Sequence, residues 1–307
     1  MTILVAGGTG FIGDVLVRQL LGEGHTVVLL SRRPQPVKNV ERKLVQVEEW
    51  DGETIGSWVD RLENVDGIIN LAGASIDAKR WTEARKAVLV TSRIESTRAL
   101  VSGIRLMKKR PAVLVNASAV GFYGDVESGD ATESRPAGND FLAGLCRRWE
   151  EEAQKAEELS VRVVQLRFGV VLEKGGGALE KMILPFRLFV GGPLGSGSQW
   201  FPWVHRDDVI GAIIFSLQNP NISGPVNVSA PNQVTMREFS QALGKTMHRP
   251  SWARVPAFVL RIVLGEMGGT VLTGQRAVPR KLEDAGFAFR YPRLDEALRA
   301  IVKRPED

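Results

Sequence analysis

Three glycines near the N-terminus have the spacing of a turn that binds phosphate groups. Gly7, Gly10 and Gly13 follow a short apolar run at residues 3–6 and precede residues with the apolar periodicity of a helix. In such a strand–turn–helix unit, the first glycine permits a sharp turn, the second permits close approach of a pyrophosphate, and the third permits packing of the helix on the sheet. Free N–H groups at the helix start attract the anion, so the pattern predicts a dinucleotide site. The residues of this turn that we expect to contact the dinucleotide are Gly7, Thr9, Gly10, Phe11 and Ile12.

The residues after the second predicted strand indicate which dinucleotide binds. An enzyme that uses NAD usually has a carboxylate there, which binds the ribose 2′-hydroxyl. Here the strand at residues 27–30 is followed by Ser31, Arg32 and Arg33, and the next carboxylate is Glu41. A hydroxyl and a guanidinium bind a 2′-phosphate through charge-assisted hydrogen bonds, whereas a carboxylate repels it. The sequence therefore predicts NADP as the cofactor; the alternative is that both arginines are solvated loop charges.

The elements that must position these residues alternate along the chain. Predicted strands lie at residues 3–6, 27–30, 65–70, 112–116 and 162–166, and the predicted helices between them include residues 93–105 and 141–158. This alternation through about the first 170 residues is typical of an α/β fold with a Rossmann-type, doubly wound parallel sheet. We expect the ligand cleft at the carboxyl ends of these strands.

From Gly175 onwards, glycine-rich segments interrupt the alternation. We therefore predict an NADP-binding Rossmann domain at residues 1–174 and a smaller, mixed substrate-binding lobe at residues 175–307, which is interleaved with the first domain. The loops at residues 175–177 and 191–197, with Trp200 and Trp203, are expected to form a lid over the substrate, because glycines permit hinge motion and aromatic faces suit a sugar or a flat ring. Packing of the tryptophans in the core is the alternative.

The composition excludes several classes of protein. The 307 residues include 40 basic and 35 acidic side chains, and the net charge of +5 is scattered, so we expect no nucleic-acid partner. The single cysteine, Cys146, forms no intrachain disulfide and suits a reducing compartment. Three separated histidines predict no metal site, and no apolar run has the length of a membrane span. Because the first predicted strand begins at residue 3, we expect no targeting signal and a cytoplasmic protein without a membrane partner.

Further motifs extend over the whole chain. They are Asn70-Leu71-Ala72-Gly73, Ala117-Ser118-Ala119, Tyr123-Gly124, Glu133, residues 205–209 and Gly286-Phe287. With the glycine turn, these motifs resemble the short-chain dehydrogenase/reductase superfamily, in its extended branch of nucleotide-sugar epimerases. A closer resemblance is to the atypical epimerase-like family that includes bacterial epimerase family proteins and a human homologue. The motifs that carry it are Arg80-Trp81, Thr91-Ser92-Arg93, Leu184-Pro185-Phe186-Arg187, residues 191–197 and residues 200–205.

The resemblance implies further residues at the cofactor. They are Leu71, Ala72, Gly73, Arg93, Arg167 and Gly169. The loop at residues 71–73 would lie beside the adenosine and ribose, unless it is a plain tight turn. Arg93 lies where extended members usually carry an asparagine, and would reach the cofactor phosphates or the substrate; a salt bridge on the helix surface is the alternative. Arg167 would line the nicotinamide pocket, unless it pairs with a carboxylate. The resemblance also implies a homodimer that forms through the helices at residues 93–105 and 141–158.

The proton-transfer residues of that superfamily are missing from this chain. Its enzymes use a tyrosine, with a lysine four residues later, to exchange a proton with the reacting oxygen. Where the resemblance would place this pair, the chain has Phe141 and Leu145. Ser118 remains to bind a substrate carbonyl, and Tyr123 is the best candidate proton donor, although the corresponding tyrosine usually packs or lines the pocket. Glu133 is expected to be a solvated loop carboxylate; it could act as the acid only if burial raised its pKa.

These features favour an NADP-dependent oxidoreductase that acts on a small polar carbonyl compound or alcohol. A nucleotide-sugar epimerase is the second possibility, and the missing tyrosine and lysine weaken it. The third is an NADP-binding regulatory protein without catalysis, since some relatives are described as cell-division factors and a fold is retained when its chemistry is lost.

Overall fold

Seven parallel strands form the centre of the protein. The computed structural model describes residues 1–33, 44–56, 58–59 and 64–303. The strands of the central sheet are β1 (Thr2–Ala6), β2 (Thr26–Ser31), β3 (Val45–Glu49), β4 (Gly67–Asn70), β5 (Val113–Ala119), β6 (Arg162–Phe168) and β7 (Gly224–Val228). They lie side by side in the order β3-β2-β1-β4-β5-β6-β7. Each neighbouring pair is parallel. The predicted α/β fold with a Rossmann-type, doubly wound sheet is confirmed.

Helices cover both faces of this sheet. Those of the described residues are α1 (Gly13–Gly22), α2 (Glu83–Leu106), α3 (Phe141–Gln154), α4 (Gly177–Arg187), α5 (Arg206–Gln218), α6 (Met236–Met247), α7 (Ala257–Leu264), α8 (Met267–Leu272), α9 (Arg280–Asp284) and α10 (Leu294–Lys303). Alternate residues of β1 point to opposite faces, so Ile3 and Val5 pack with α1 and α5, whereas Leu4 packs with α2 and α3. Strands covered on both sides consist of apolar residues throughout, which explains the uninterrupted apolar runs in the sequence. Within the described residues, no helix combines the length and the apolar character needed to cross a membrane.

Several element boundaries differ from the sequence-based prediction, and two of these differences affect the site. Helix α2 begins at Glu83, ten residues before the predicted start, and its N-cap is Thr82, whose side chain accepts a hydrogen bond from the Arg85 N–H. Buried polar residues such as Thr97 on this helix obscure the apolar periodicity. Strand β5 continues to Ala119, so Ser118 lies within the strand, where Arg167 of β6 is its register partner.

The C-terminal part of the chain has a second hydrophobic core. Helices α4, α6 and α10 pack around Phe201, Trp203 and Phe239. Short strands in this region and around it are Asp130–Ala131, Val170–Leu172, Trp200–Phe201, Trp203–His205, Val234–Thr235 and Arg276–Ala277. Strand β7 also comes from this part of the chain, but it pairs with β6 at the edge of the central sheet. The proposed boundary at residue 174 stays a prediction.

Candidate cofactor and substrate site

The glycine turn after β1 is packed against the neighbouring strand end. The backbone φ of Gly7 is +78°, and a Cβ atom on Gly7 would lie 2.6 Å from the Leu71 carbonyl oxygen. A Cβ on Gly13 would lie 2.3 Å from the Gly7 carbonyl oxygen. Both positions therefore require glycine, because a side chain on Gly7 would collide with the segment after β4, and one on Gly13 would push the start of α1 away from the turn. The structure brings this turn and the predicted loop at residues 71–73 together, where the carboxyl ends of β1 and β4 meet.

Phe11 of the same turn is covered by one of the two predicted lid loops. A Cβ on Gly176 would lie 2.7 Å from the Phe11 ring. The Arg206 guanidinium also lies near this ring, 5.1 Å from its centre. Arg206 forms an ion pair of 3.2 Å with Glu173, which precedes the loop. The loop at residues 175–177 therefore lies directly against the glycine turn after β1. The expectation for Trp203 is wrong, because this side chain is fully buried in the second hydrophobic core.

The end of β2 presents a hydroxyl and two cations. The Ser31 hydroxyl is hydrogen-bonded to both the N–H and the carbonyl of Arg33, at 3.2 and 3.1 Å, which shapes the chain as it leaves the strand. The Arg32 and Arg33 side chains are exposed, and neither forms an ion pair with any described residue. Glu41, the next carboxylate in the sequence, lies outside the described residues. This surface has the charge that a 2′-phosphate requires.

A buried polar cluster shapes the loop after β4. The Asn70 amide donates hydrogen bonds of 2.7 Å to Asn116 and 3.0 Å to Thr97, and its oxygen accepts one of 3.1 Å from the Ala72 N–H. The Trp149 indole donates to the same Thr97 hydroxyl at 2.9 Å. Because each group has partners, the cluster fixes the path of the backbone beyond Asn70. The residue motif at Asn70 was visible in the sequence, but its partners were not.

Arg93 lies under the loop that follows this cluster. Its guanidinium donates hydrogen bonds to the carbonyls of Ala74, at 3.0 Å, and Leu89, at 3.1 Å, and lies 5.2 Å from the centre of the Trp149 ring. A Cβ on Gly73 would lie 3.2 Å from the Arg93 Cζ atom. Burial lowers the pKa of Arg93. The alternative of a salt bridge on the helix surface is wrong, because the side chain is buried and no described carboxylate pairs with it.

Ser118 and Arg167 share one carboxylate, that of Glu150 on α3. The Ser118 hydroxyl donates to Glu150 Oε1 at 2.6 Å, and Arg167 donates to the two carboxylate oxygens at 2.8 and 2.7 Å. All three side chains are buried. Burial lowers the pKa of Arg167, but the hydrogen bonds with Glu150 outweigh it and the net effect is a raised pKa. Arg167 thus has the carboxylate partner that the sequence left open, and nothing in the sequence pattern had singled out Glu150.

Tyr123 is bound to the other side of Arg167. Its hydroxyl donates to the Asn227 side chain at 2.7 Å and accepts from Arg167 at 2.9 Å. The ring is buried, and burial raises the pKa of Tyr123 to about 12, although the Arg167 charge opposes the rise. A phenol with this pKa gives up its proton poorly at neutral pH. The geometry argues for a packing role, and the catalytic assignment of Tyr123 stays a prediction.

The positions of the missing tyrosine and lysine are filled by apolar contacts. The Phe141 ring packs edge-to-face on Trp81, with 5.3 Å between the ring centres. Leu145 is buried in the same cluster, with Trp81 and Leu89. A lysine at position 145 would place its charge among these apolar side chains at a large desolvation cost. The cluster around position 145 therefore accommodates an apolar side chain and not a cation.

Three remaining motif residues have structural contacts. A Cβ on Gly169 would lie 2.5 Å from the Pro202 carbonyl oxygen, so Gly169 permits two segments to approach closely. His205 caps α5, with its Nδ1 atom accepting a hydrogen bond of 3.0 Å from the Asp207 N–H. Glu133 was expected to be solvated, and this is wrong: its carboxylate is buried and accepts hydrogen bonds from the backbone N–H groups of Asn227 and Lys281.

Comparisons with known proteins agree with this geometry. A model of the NAD dependent epimerase/dehydratase family matches residues 3–229, and a model described as a domain of unknown function matches residues 255–301. The chain is 42% identical to the chloroplastic epimerase family protein SDR39U1 homolog of Arabidopsis thaliana, over 99% of this chain and 87% of that one. It is 40% identical to the epimerase family protein YfhF of Bacillus subtilis, over 98% of both chains. The crystal structure of human epimerase family protein SDR39U1 with NADPH is similar at a TM-score of 0.89 and 34% identity, over 99% of this chain and 100% of that one.

Proposed function

The chain belongs to the NAD dependent epimerase/dehydratase family, and on that premise we propose that it is an NADPH-dependent oxidoreductase that acts on a small polar carbonyl compound or the corresponding alcohol. The observation that carries this proposal is the end of β2, where Ser31 is followed by two exposed arginines without a described carboxylate partner. Such a surface selects the phosphorylated dinucleotide. The solved structure of the human relative with NADPH supports the same choice.

The dinucleotide turn fits the cofactor. Gly7 leaves no room for a side chain against the segment after β4, and Gly13 leaves none between the turn and the start of α1, which is the close packing that a pyrophosphate cradle requires. Thr9 and Gly10 are exposed at the tip of the turn. The loop at residues 71–73 lies beside it, and Phe11 lies beneath the loop at residues 175–177. NADPH bound in this cradle would supply a hydride from its nicotinamide ring.

An oxidoreductase fits this site better than an epimerase. An epimerase of this fold oxidises and then reduces one carbon without net turnover of the cofactor, and its proton transfers use the tyrosine and lysine pair. Phe141 and Leu145 occupy those positions in an apolar cluster. A reductase needs only one proton for each turnover, and water can supply it. We therefore assign the proton to water in preference to Tyr123, whose hydroxyl is already hydrogen-bonded to Asn227 and Arg167.

Ser118 is the residue that we propose to bind the substrate oxygen. Its hydrogen is donated to Glu150, so its oxygen is left as an acceptor. In this arrangement Ser118 accepts a hydrogen bond from an alcohol, the reduced form of the substrate. Rotation of the hydroxyl away from Glu150 would let it donate to a carbonyl oxygen. Ser118 thus serves the reaction in either direction by changing one hydrogen bond.

The same hydrogen bonds favour a second candidate function, an NADP-binding regulatory protein without catalysis. Both hydroxyl groups near the expected reaction centre, on Ser118 and Tyr123, have partners inside the protein. A fold that has lost its chemistry would keep the cofactor cradle and use such groups for stability. This candidate predicts binding of NADPH without turnover of any carbonyl compound.

The experiment that tests the proposal has two steps. Calorimetric titration of the protein with NADPH, NADP⁺, NADH and NAD⁺ should show preference for the phosphorylated pair. A panel of small polar aldehydes, ketones and keto acids is then screened for loss of NADPH absorbance, with wild type beside Ser118→Ala. Substrate-dependent oxidation that falls in Ser118→Ala supports the oxidoreductase. NADPH binding without oxidation by any compound supports the regulatory protein, and absence of dinucleotide binding overturns both.

We further propose that the protein acts in the cytoplasm on a small molecule, and that it forms a homodimer through α2 and α3. The single cysteine, Cys146, supports a reducing compartment, since the chain has no second cysteine with which it could form an intrachain disulfide. Light scattering on the purified protein measures the oligomeric state. A mass of one chain at micromolar concentration would contradict the dimer.

A further inference from the structure

Two arginines on α2 lie side by side without a carboxylate partner. Arg93 and Arg85 are two helical turns apart, and they donate hydrogen bonds to successive carbonyls of one loop, those of Ala74 and Ser75. The charge of Arg85 contributes to the lowered pKa of Arg93, so the two cations interact. Within the described part of the chain, neither forms an ion pair. Two positive charges therefore lie in one place without a carboxylate from any described residue.

Neighbouring cations in this region do have partners. Lys86 forms ion pairs with Glu83 and Glu266, at 2.7 and 2.9 Å, and Lys181 pairs with Asp77 at 2.8 Å. The acidic side chains around the loop are thus paired with lysines and not with the buried Arg93 or the half-buried Arg85. A buried arginine without an anion carries a desolvation cost, and for Arg93 the described residues offset it only through two carbonyl acceptors and the Trp149 ring.

Arg162 shows what a purely structural arginine looks like in this fold. Burial also lowers its pKa, but it donates three hydrogen bonds to the carbonyls of Ser216, Leu217 and Ile222, around the end of α5. The negative end of a helix dipole compensates a cation there. Arg93 lies in the middle of α2, where no helix end is available, and it donates only two hydrogen bonds, both to carbonyls.

Donor groups of both arginines remain for a ligand. A guanidinium has five N–H groups, and those of Arg93 that are not bonded to Leu89 and Ala74 have no partner among the described residues. The Nε atom of Arg85 is buried and makes no hydrogen bond. Buried donors in native proteins are normally satisfied, so unsatisfied ones adjacent to a cofactor loop indicate a binding site.

The position of Arg93 relative to the reaction centre indicates which ligand would bind. Its guanidinium lies against Gly73 of the loop at residues 71–73 and 5.2 Å from the centre of the Trp149 ring, and Trp149 directly precedes Glu150, which accepts the Ser118 hydrogen bond. Arg93 is therefore on the side of the cleft where the proposed substrate oxygen binds. The pyrophosphate cradle at Gly7–Gly13 belongs to the start of α1, a different element.

We infer that Arg93 and Arg85 bind an oxyanion of the substrate, a carboxylate or a phosphate, beside the cofactor. This inference rests on the proposed function, and it makes the substrate an anionic carbonyl compound or alcohol. A planar guanidinium fork fits such a group with two parallel hydrogen bonds. The anionic end of the substrate then lies at Arg93 while its reacting oxygen faces Ser118.

The test is calorimetric titration of the NADPH complex with oxalate, with inorganic phosphate and with the neutral diol ethylene glycol, at constant ionic strength. Wild type is compared with Arg93→Gln, Arg85→Gln and the control Arg98→Gln, an arginine of the same helix that already pairs with Glu95 and Glu152. We expect wild type and Arg98→Gln to bind oxalate or phosphate but not ethylene glycol. Arg93→Gln should weaken the anion at least tenfold, and the preferred anion distinguishes a carboxylate from a phosphate substrate.

Thermal unfolding of the same variants separates binding from structure. Because Arg93 is a buried charge without a carboxylate, Arg93→Gln should unfold at the same temperature as wild type or at a higher one. If Arg93→Gln is unfolded, the anion affinity of Arg85→Gln is compared with that of wild type instead. The inference is overturned when neither anion binds wild type, or when Arg93→Gln and Arg85→Gln both bind the anion as wild type does. It is also overturned when the anion competes with NADPH, which would place the arginines in the cofactor site. If NADPH itself does not bind, the proposed function fails, and titration of the protein alone still tests Arg93.

Discussion

The Ser118 hydroxyl donates a hydrogen bond of 2.6 Å to the Glu150 carboxylate, the same carboxylate that neutralises Arg167. Three elements, β5, α3 and β6, therefore meet at one buried charge. Tyr123 joins the group through Arg167. Residues that the sequence assigned to separate roles, in catalysis and in cofactor binding, are members of one hydrogen-bonded network. Its stability and its response to pH can be measured without knowledge of the substrate.

The first prediction concerns the buried ion pair. Glu150→Ala leaves the Arg167 guanidinium buried without its carboxylate, and removal of one partner of such a pair costs about 3–5 kcal/mol. Urea unfolding should show this loss in the free energy of unfolding. The matched control is Glu151→Ala, the next residue on α3, which is exposed and forms only a loose ion pair of 3.7 Å with Arg147. Its effect should stay within about 0.5 kcal/mol. Equal effects of the two variants would contradict the role of Glu150.

The second prediction concerns the pH dependence of stability. The pKa of Tyr123 is raised by burial to about 12 in the folded protein, from 10.0 for the free side chain. A raised pKa means that the neutral phenol stabilises the fold fully below pH 10 and that this contribution is lost as the pH rises from 10 towards 12. The loss is about 3 kcal/mol, since one pKa unit corresponds to about 1.4 kcal/mol.

Tyr123→Phe removes this titration. The variant should be less stable than wild type at pH 9, because it loses the hydrogen bonds to Asn227 and Arg167. Between pH 9 and pH 11 it should lose less stability than wild type does. Urea unfolding at the two pH values measures both effects. A parallel decline in the two proteins would show that Tyr123 does not have a raised pKa.

The third prediction concerns the glycine turn. Gly13→Ala places a Cβ 2.3 Å from the Gly7 carbonyl oxygen and 2.6 Å from the Gly8 Cα, and both are backbone atoms that cannot rotate away. We expect destabilisation of about 1–3 kcal/mol and at least a tenfold loss of NADPH affinity. The control is Gly144→Ala on α3, where nothing lies within 4 Å of the new Cβ. That change should stabilise the helix by about 0.5–1 kcal/mol and leave NADPH binding unchanged.

The fourth prediction concerns the choice of cofactor. Arg32→Ala should weaken NADPH binding by about 1.5–3 kcal/mol, the contribution of a hydrogen bond to a charged group. NADH binding should be unchanged, because the 2′-phosphate is the only group that NADH lacks. Arg18→Ala is the control, since Arg18 is an exposed arginine on α1 that pairs with Asp14. Equal loss of NADPH and NADH affinity in Arg32→Ala would assign Arg32 to another part of the dinucleotide.

The sequence alone determined the fold and the dinucleotide turn. The strands β1 and β2 were predicted within one residue at each end, because apolar runs covered on both faces need no information from elsewhere in the chain. Gly7 and Gly13 were assigned correctly because the requirement for glycine is a local property of the backbone. The helix at residues 93–105 was placed correctly but began too late, since its first turns carry a mixed surface that shows no apolar stripe.

Only the tertiary structure decided which polar residues of the predicted site have partners inside the protein. Glu150 lies 17 residues before Arg167, and Asn227 lies 104 residues after Tyr123, and no local pattern connects either pair. The same is true of Arg93, which has no carboxylate partner among the described residues because of how distant elements pack around it. Residue type and spacing determine backbone conformation over a few residues, but the burial of a charge and the identity of its partner are set by contacts between distant segments. For this reason the sequence predicted the cofactor, while the structure showed that Arg167 is paired with Glu150 and that Arg93 is buried without a carboxylate partner among the described residues.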